Sequence, residues 1–419
     1  LIICPDIEQA REVFKMNCIK IKARKKRGST LPLVILGVVL LVIIGLSIID
    51  LSTHSSVFAI HNATDIKART AADAGVADAV FQMNEKLKVV PWVDDSYPAD
   101  SDVELLGSDA TYDYIVNKVD GVYTVEGTGH ALNKTRVVNA TLELRSAFDF
   151  AVFARDFIEF KSKTVVSWYN NQPDDWPLQV CVGSVKSGSI ILRGDTFING
   201  DVLVGATGDP EVVITGSKNY TISGESYPLR FNPILPSITP SAVLALMPSQ
   251  GDIKNSVTIN TSGKYRNIDL GNSEVIKIDE PITLFITGDI LLGNSAGIEI
   301  GGTSDTDNDA SLTIYLAGRL IGNYGAGFNN LTTDAKRLGI YCLDSCTEAR
   351  WKNGTNFVGT FYAPGADIVL DNSGDIYGSI VGKSYIQKNS GEIHYDASLR
   401  DRSITDIGVR FAIKRWSEP

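Results

Sequence analysis

The chain has 419 residues, with 39 Lys and Arg against 49 Asp and Glu and a net charge of −10. Eight of the basic residues but only three of the acidic ones precede Ser29, so the remainder is more acidic than the whole. That balance excludes nucleic acid as a partner, because phosphate binding needs a basic footprint. Five Cys and four His, without four ligands at suitable spacing, argue against zinc.

The first element is a membrane segment. Lys20, Lys22, Arg24, Lys25, Lys26 and Arg27 form a basic run, and no residue from Ser29 to Ile49 is charged. At ~1.5 Å rise per residue, Leu31 to Ile49 is close to the ~30 Å core of a bilayer. The singled-out residues of this helix are Leu31, Leu33, Leu36, Leu40, Ile44 and Ile49. A basic cluster stays on the cytoplasmic side, which places the bulk of the chain outside. No small-residue cleavage site follows Ile49 directly, as it would after a secretory signal. The chain starts with Leu1, and Met16 is a natural start, so residues 1–15 are expected to be non-native upstream read-through.

Translation from Met16 leaves a short basic leader ending at Gly28 before a long apolar helix. This resembles a type IV prepilin leader, which implies a cut between Gly28 and Ser29 by a prepilin peptidase on the cytoplasmic side. An uncleaved signal anchor is the alternative at this point. Residues 50–90 continue the helix: Ile60, Ala63, Ala71, Ala74, Val80, Met83 and Leu87 recur at helical spacing, and the abundance of Ala and Gly lets a neighbour approach closely. One helix is predicted over about 30–88, ending near Pro91. The segment Ala71-Ala72-Asp73-Ala74-Gly75 resembles the Ala-Ala-Glu-Ala-Gly pattern of PilX-type minor pilins, with Asp in place of Glu. Major pilins carry Glu at the fifth mature position. Here it is Leu33, so the resemblance implies a minor rather than a major subunit.

Alternation in Tyr112–Val116 and Val137–Leu144, with turns at Asp120-Gly121 and Gly127–Gly129, predicts three or four antiparallel strands packed on the helix. From 148 to 400, short Ile, Val and Leu runs are punctuated by Gly, Asn, Asp and Ser. TLFITGDILLGNSAGIEI from Thr283 and TIYLAGRLIGNYGAGFNN from Thr313 match in pattern, and Ser373-Gly374 and Ser390-Gly391 mark a second repeat. Degenerate repeats of this length predict stacked β coils. The fold class is therefore mainly β with one long N-terminal α-helix: a pilin-like helix plus small antiparallel sheet, followed by a right-handed parallel β-helix, with a β-sandwich as the alternative. The expected divisions are 1–28 leader and upstream residues, 29–90 helix, 91–147 antiparallel region, 148–400 β-helix and 401–419 tail. The coil region also resembles the C-terminal β-helical domain, of unassigned function, that follows PilX-type N-termini. Pro233–Pro248 is read as an insertion crossing its surface.

Candidate chemistry is sparse. Cys342 and Cys346 are expected to form a disulfide, with two unbridged thiols on a loop as the alternative. Cys181 is left over and expected to be buried. Asp305, Asp307 and Asp309 alternate as in the first half of an EF-hand loop, but Ala310 stands where Gly belongs and Leu316 where Glu belongs. That loop reads as a solvated turn, with a weak calcium site as the lesser alternative and no other cofactor. His394 and Asp396 share one side of a strand, an arrangement open to acid–base work but more often a structural edge. Trp168, Tyr169, Trp176 and Trp351 are candidates for stacking on sugars, or for core and cap positions.

The resemblance implies a non-enzymatic minor pilin or pseudopilin subunit. It would be held in the bacterial inner membrane by a single span, with its bulk extracytoplasmic, and drawn into a cell-surface pilus for adhesion or filament assembly. Its partners would be other pilin subunits, the prepilin peptidase, the membrane and surface polysaccharide. The alternative is a membrane-anchored protein that binds or cleaves polysaccharide.

Overall fold

The computed structural model describes residues 31–87, 96–169, 176–217, 219–301, 309–352, 356–371 and 374–418. The chain is mainly β, with one long helix, α1 (Leu31–Leu87), at its start. By contact the chain divides at Ile66/Lys67. In the first unit the helix is apolar and open: Leu31, Leu33, Leu36, Leu40, Ile44 and Ile49 are between 45 % and 77 % exposed. The hydroxyls of Ser47, Thr53, Ser56 and Thr64 donate to carbonyls four residues back on the helix.

In the second unit the helix turns a face of small residues inward. Ala68, Ala71, Ala72, Val76, Ala79 and Met83 are all fully buried. They pack on an antiparallel sheet of β1 (Ala99–Glu104), β2 (Thr111–Val119), β3 (Val122–Ala131), β4 (Lys134–Ser146) and a fifth strand, Val409–Ser417, which pairs with β4. Within the segment 401–419, set apart as a tail in the sequence, Val409–Ser417 thus completes this sheet, and Phe411 is buried in its core. The sheet alternates as its sequence does, with Tyr112, Tyr114 and Val116 buried and Ile115 exposed.

Between β4 and that fifth strand lies a stack of parallel coils. Through the middle of this region a strand pairs with the one three elements later in the chain: Ile282–Ile286 lies on Leu312–Leu316, Ile290–Leu292 on Leu320–Gly322, and Gly297–Ile300 on Gly327–Asn330. These pairings align the two stretches recognised as repeats, Thr283 on Thr313. One inward column runs Leu284, Ile314, Ile340, Phe361, Ile380, Val152, Val180 and Val202. All eight are fully buried, so each rung is held by the apolar side chains above and below it.

Chain order and spatial order differ in this stack. The last coil, Ile376–Gln387, pairs in parallel with the first, Val152–Phe160. The chain therefore begins in the middle of the stack, builds toward Ser226–Pro228 at one end, and then returns to the other end, where Ser249 bridges to Lys264. Ten rung spacings of ~4.8 Å separate those ends, about 48 Å, and the intervening twenty residues reach about 65 Å when extended. This returning strap lies against the stack: Tyr362 donates its hydroxyl to Pro236 O at 2.7 Å, and Ser237 Oγ donates to Asp344. Beneath it an outward column of Tyr315, Tyr341, Tyr362, Val381, Phe153, Cys181 and Leu203 packs with Ile238, Phe148 and Phe150. That cover explains why these strands are apolar on both faces.

Candidate functional site

The processing pair Gly28 and Ser29 lies outside the described residues, as do Asp305 and Asp307. Asp309 is exposed and its carboxylate lies 3.5 Å from Arg337 Nη2. Among the described residues no group of three His, Cys, Asp or Glu is placed to hold a metal ion. Cys342 and Cys346 flank a tight corner between two strands and are both buried. They stand as separate thiols, so the expected bridge is not formed in this structure. They nonetheless interact: the Cys342 thiol holds the Cys346 thiol below its ordinary value, while burial pushes Cys342 and Cys181 up.

The helix and sheet meet where glycine and alanine coincide. A Cβ added at Gly129 would lie 1.9 Å from Ala68 O, and one at Gly127 would lie 2.5 Å from Ala72 O. The Ala71–Gly75 segment is therefore seated on a strand that has no side chains at the crossing. Gly75 itself faces β2, 3.0 Å from Asp113 O by the same measure. Burial pushes the Asp73 carboxyl up, against the pull of Arg69, whose Nε binds Glu418 at 2.7 Å.

A second cluster lies on the outer face of the coils. Tyr377, His394 and Ser167 occupy one register position on three successive rungs. The Tyr377 ring stacks on His394, with centroids 4.7 Å apart and planes at 19°. Tyr169 meets Tyr377 edge-on at 4.8 Å. Ser167 Oγ is 2.9 Å from His394 Nδ1, and Glu392 Oε2 is 3.1 Å from His394 Nε2. The predicted partner of His394, Asp396, is instead buried and caps a short helix by accepting from Ser398 N. Chemically this cluster offers an aromatic face beside a polar edge, together with a carboxylate–imidazole–hydroxyl chain. Sequence reasoning found Tyr169 and His394 but missed Ser167, Tyr377 and Glu392. The repeat of Ser373-Gly374 in Ser390-Gly391, which aligns Tyr377 with His394, was the available signal.

The other aromatic candidates have structural places. Trp351 is buried in the coil core. Trp168 and Trp176 flank the Arg400 guanidinium at 5.3 and 5.7 Å, and Tyr395 completes that cage. Arg400 also donates to the carbonyls of Asp149 and Pro177, so the cage ties the entry of the coils to their exit.

A family described only as a domain of unknown function, DUF7305, matches residues 241–402. No curated protein matches the chain. Among solved structures, the competence-associated pilin ComZ from Thermus thermophilus is 12 % identical, covering 85 % of this chain and 97 % of its own, with a TM-score of 0.22. An ice-binding protein from the Antarctic ascomycete Antarctomyces psychrotrophicus is 14 % identical over 59 % of this chain and 95 % of its own, with a TM-score of 0.28. At such scores neither likeness bears on function.

Proposed function

We propose that the chain is a non-enzymatic minor pilin or pseudopilin-like subunit that needs no cofactor. The observation that supports this most is α1: one helix whose first half is apolar and exposed, and whose second half buries a small-residue face on an antiparallel sheet. In this reading Leu31–Ile49 sits in the bacterial inner membrane and, after cleavage at Gly28/Ser29 by a prepilin peptidase, packs against the helices of other subunits. The coils form a right-handed parallel β-helix, the hand expected of parallel crossovers. Displayed outside, they serve adhesion or filament assembly. The test is the mature N-terminus by mass spectrometry of membrane and filament fractions. A peptidase-dependent start at Ser29 supports the reading; an intact leader, or cleavage only after Ile49, overturns it.

The cluster at Tyr377 and His394 favours a second reading, a membrane-anchored protein that binds polysaccharide on this face. Aromatic rings beside hydrogen-bonding groups suit sugar rings. Retention on a polysaccharide column, lost in Tyr377→Ala, tests it.

A further inference from the structure

Seven Asn-Xaa-Ser/Thr triplets occur in the sequence, at Asn62, Asn133, Asn139, Asn219, Asn260, Asn330 and Asn353, and in none is Xaa a proline. This is the acceptor pattern for N-linked glycan in exported proteins. The fold sorts them. Asn353 lies outside the described residues. Asn62 is within α1. Asn330 is 4 % exposed and donates both amide protons, to Asp334 O at 2.9 Å and Val358 O at 3.0 Å, so it is closed to modification. Asn139 lies inside β4, opposite Glu126 on one side and Ser417 on the other.

Three remain, all exposed and all beside strand ends. Asn133 is in the two-residue turn joining β3 to β4. Asn219 lies two residues before Thr221–Ile222, which among the described residues has Phe197–Ile198 as its ladder partner and so forms an open edge at one end of the coil stack. Asn260 follows Val257–Thr258, which among the described residues has Val275–Ile278 as its ladder partner and forms an open edge at the other end. Open edges of a parallel stack present unpaired backbone groups to any other chain, and folded proteins block them.

We propose that Asn133, Asn219 and Asn260 carry N-linked oligosaccharides, and that the two at the stack ends keep the open strand edges from pairing with other copies. The donor class is an oligosaccharide on a polyprenyl phosphate carrier. The side-chain amide nitrogen attacks the anomeric carbon and a C–N bond forms. The bond from that carbon to the phosphate oxygen breaks, the carrier leaves with the electron pair, and the amide proton passes to base. The inference rests on the reading that the coils lie outside the membrane.

The test is glycopeptide mass spectrometry of the full chain from membranes of its own host, with protease accessibility of intact spheroplasts read in parallel. Glycan at Asn133, Asn219 and Asn260, absent from Asn139 and Asn330, is expected, and each single Asn→Gln change should remove one glycan mass. Unmodified Asn at all three positions on an externally accessible chain overturns this inference alone, as does glycan on Asn330. A chain protected from external protease overturns the compartment reading as well. For the role at the edges, the N219Q/N260Q double variant should sediment as larger species with rising concentration in detergent, while N133Q alone should not. A double variant that stays the size of the parent overturns the shielding role.

Discussion

Gly129→Ala is the sharpest probe of the helix–sheet junction. The new Cβ would sit 1.9 Å from Ala68 O and 2.4 Å from Ala72 N, both backbone atoms of a helix that is buried there. Ordinary contact begins near 3.4 Å, so the helix must move by more than an ångström. Movement opens the contacts of Ala68, Ala72 and Val76, and no rotamer change can relieve a clash with main chain. Overpacking of a tight core costs about 1–3 kcal/mol, occasionally more. With the clash falling on backbone, ~3 kcal/mol or more is expected. Gly75→Ala is the internal control. Its Cβ would lie 3.0 Å from Asp113 O and 3.1 Å from Tyr112 Cδ2, a strain relieved by a few tenths of an ångström. Against that stands a gain of ~1 kcal/mol in helix propensity. The net effect should be within ~1 kcal/mol of zero. Hydrogen exchange over β3, measured on the full chain in detergent, reads the junction apart from the coils. Equal protection in the two variants would refute the claim that the strand glycines, rather than the helix glycine, set the distance of approach.

Leu284→Ala in the inward column should cost about 2–5 kcal/mol through the cavity it leaves, read as a lower denaturant midpoint for the coils. Asn330→Ala should cost about 1–3 kcal/mol by leaving the carbonyls of Asp334 and Val358 without their donor, measured in the same way. Acid should weaken the coils through their corner carboxylates. Burial opposes the charge on Asp371, but hydrogen bonds from Lys388 and Arg350 hold its carboxyl below 3.8, and Arg319 does the same for Asp289. A carboxyl depressed on folding contributes stability that is full above its unfolded value and lost as pH falls through its folded value. The denaturant midpoint should therefore drop from about pH 5 downward, and an Asp371→Asn variant should show a shallower drop. Alkylating reagents should label Cys181, Cys342 and Cys346 only after unfolding, because all three are buried. Native-state labelling of Cys181 would place the strap elsewhere.

Local pattern carried much of this molecule. The uncharged run after Arg27 and the small residues from Ala63 to Met83 need only a period of 3.6 and a length to read as one helix. The alternation of Tyr112–Val116 needs only a period of two. The likeness of the stretches from Thr283 and Thr313 reported a register that the fold then repeats rung on rung. What tertiary structure decided is everything that depends on residues far apart in the chain. Val409–Ser417 has no strand partner nearby in sequence, so its place beside β4 was invisible, and the same holds for the last coil lying on Val152–Phe160. Tyr341 and Tyr362 look like core residues of a strand, but whether the outer face is covered depends on where the strap runs. Ser167 and Glu392 are ordinary polar residues in sequence. Ser167 meets His394 because parallel stacking places equal register positions about 4.8 Å apart, whatever their distance along the chain, whereas Glu392 reaches it from two residues back on the same face of its own strand. Periodicity is a property of neighbours, whereas a stacked site belongs to the register between coils, which closure of the chain alone determines.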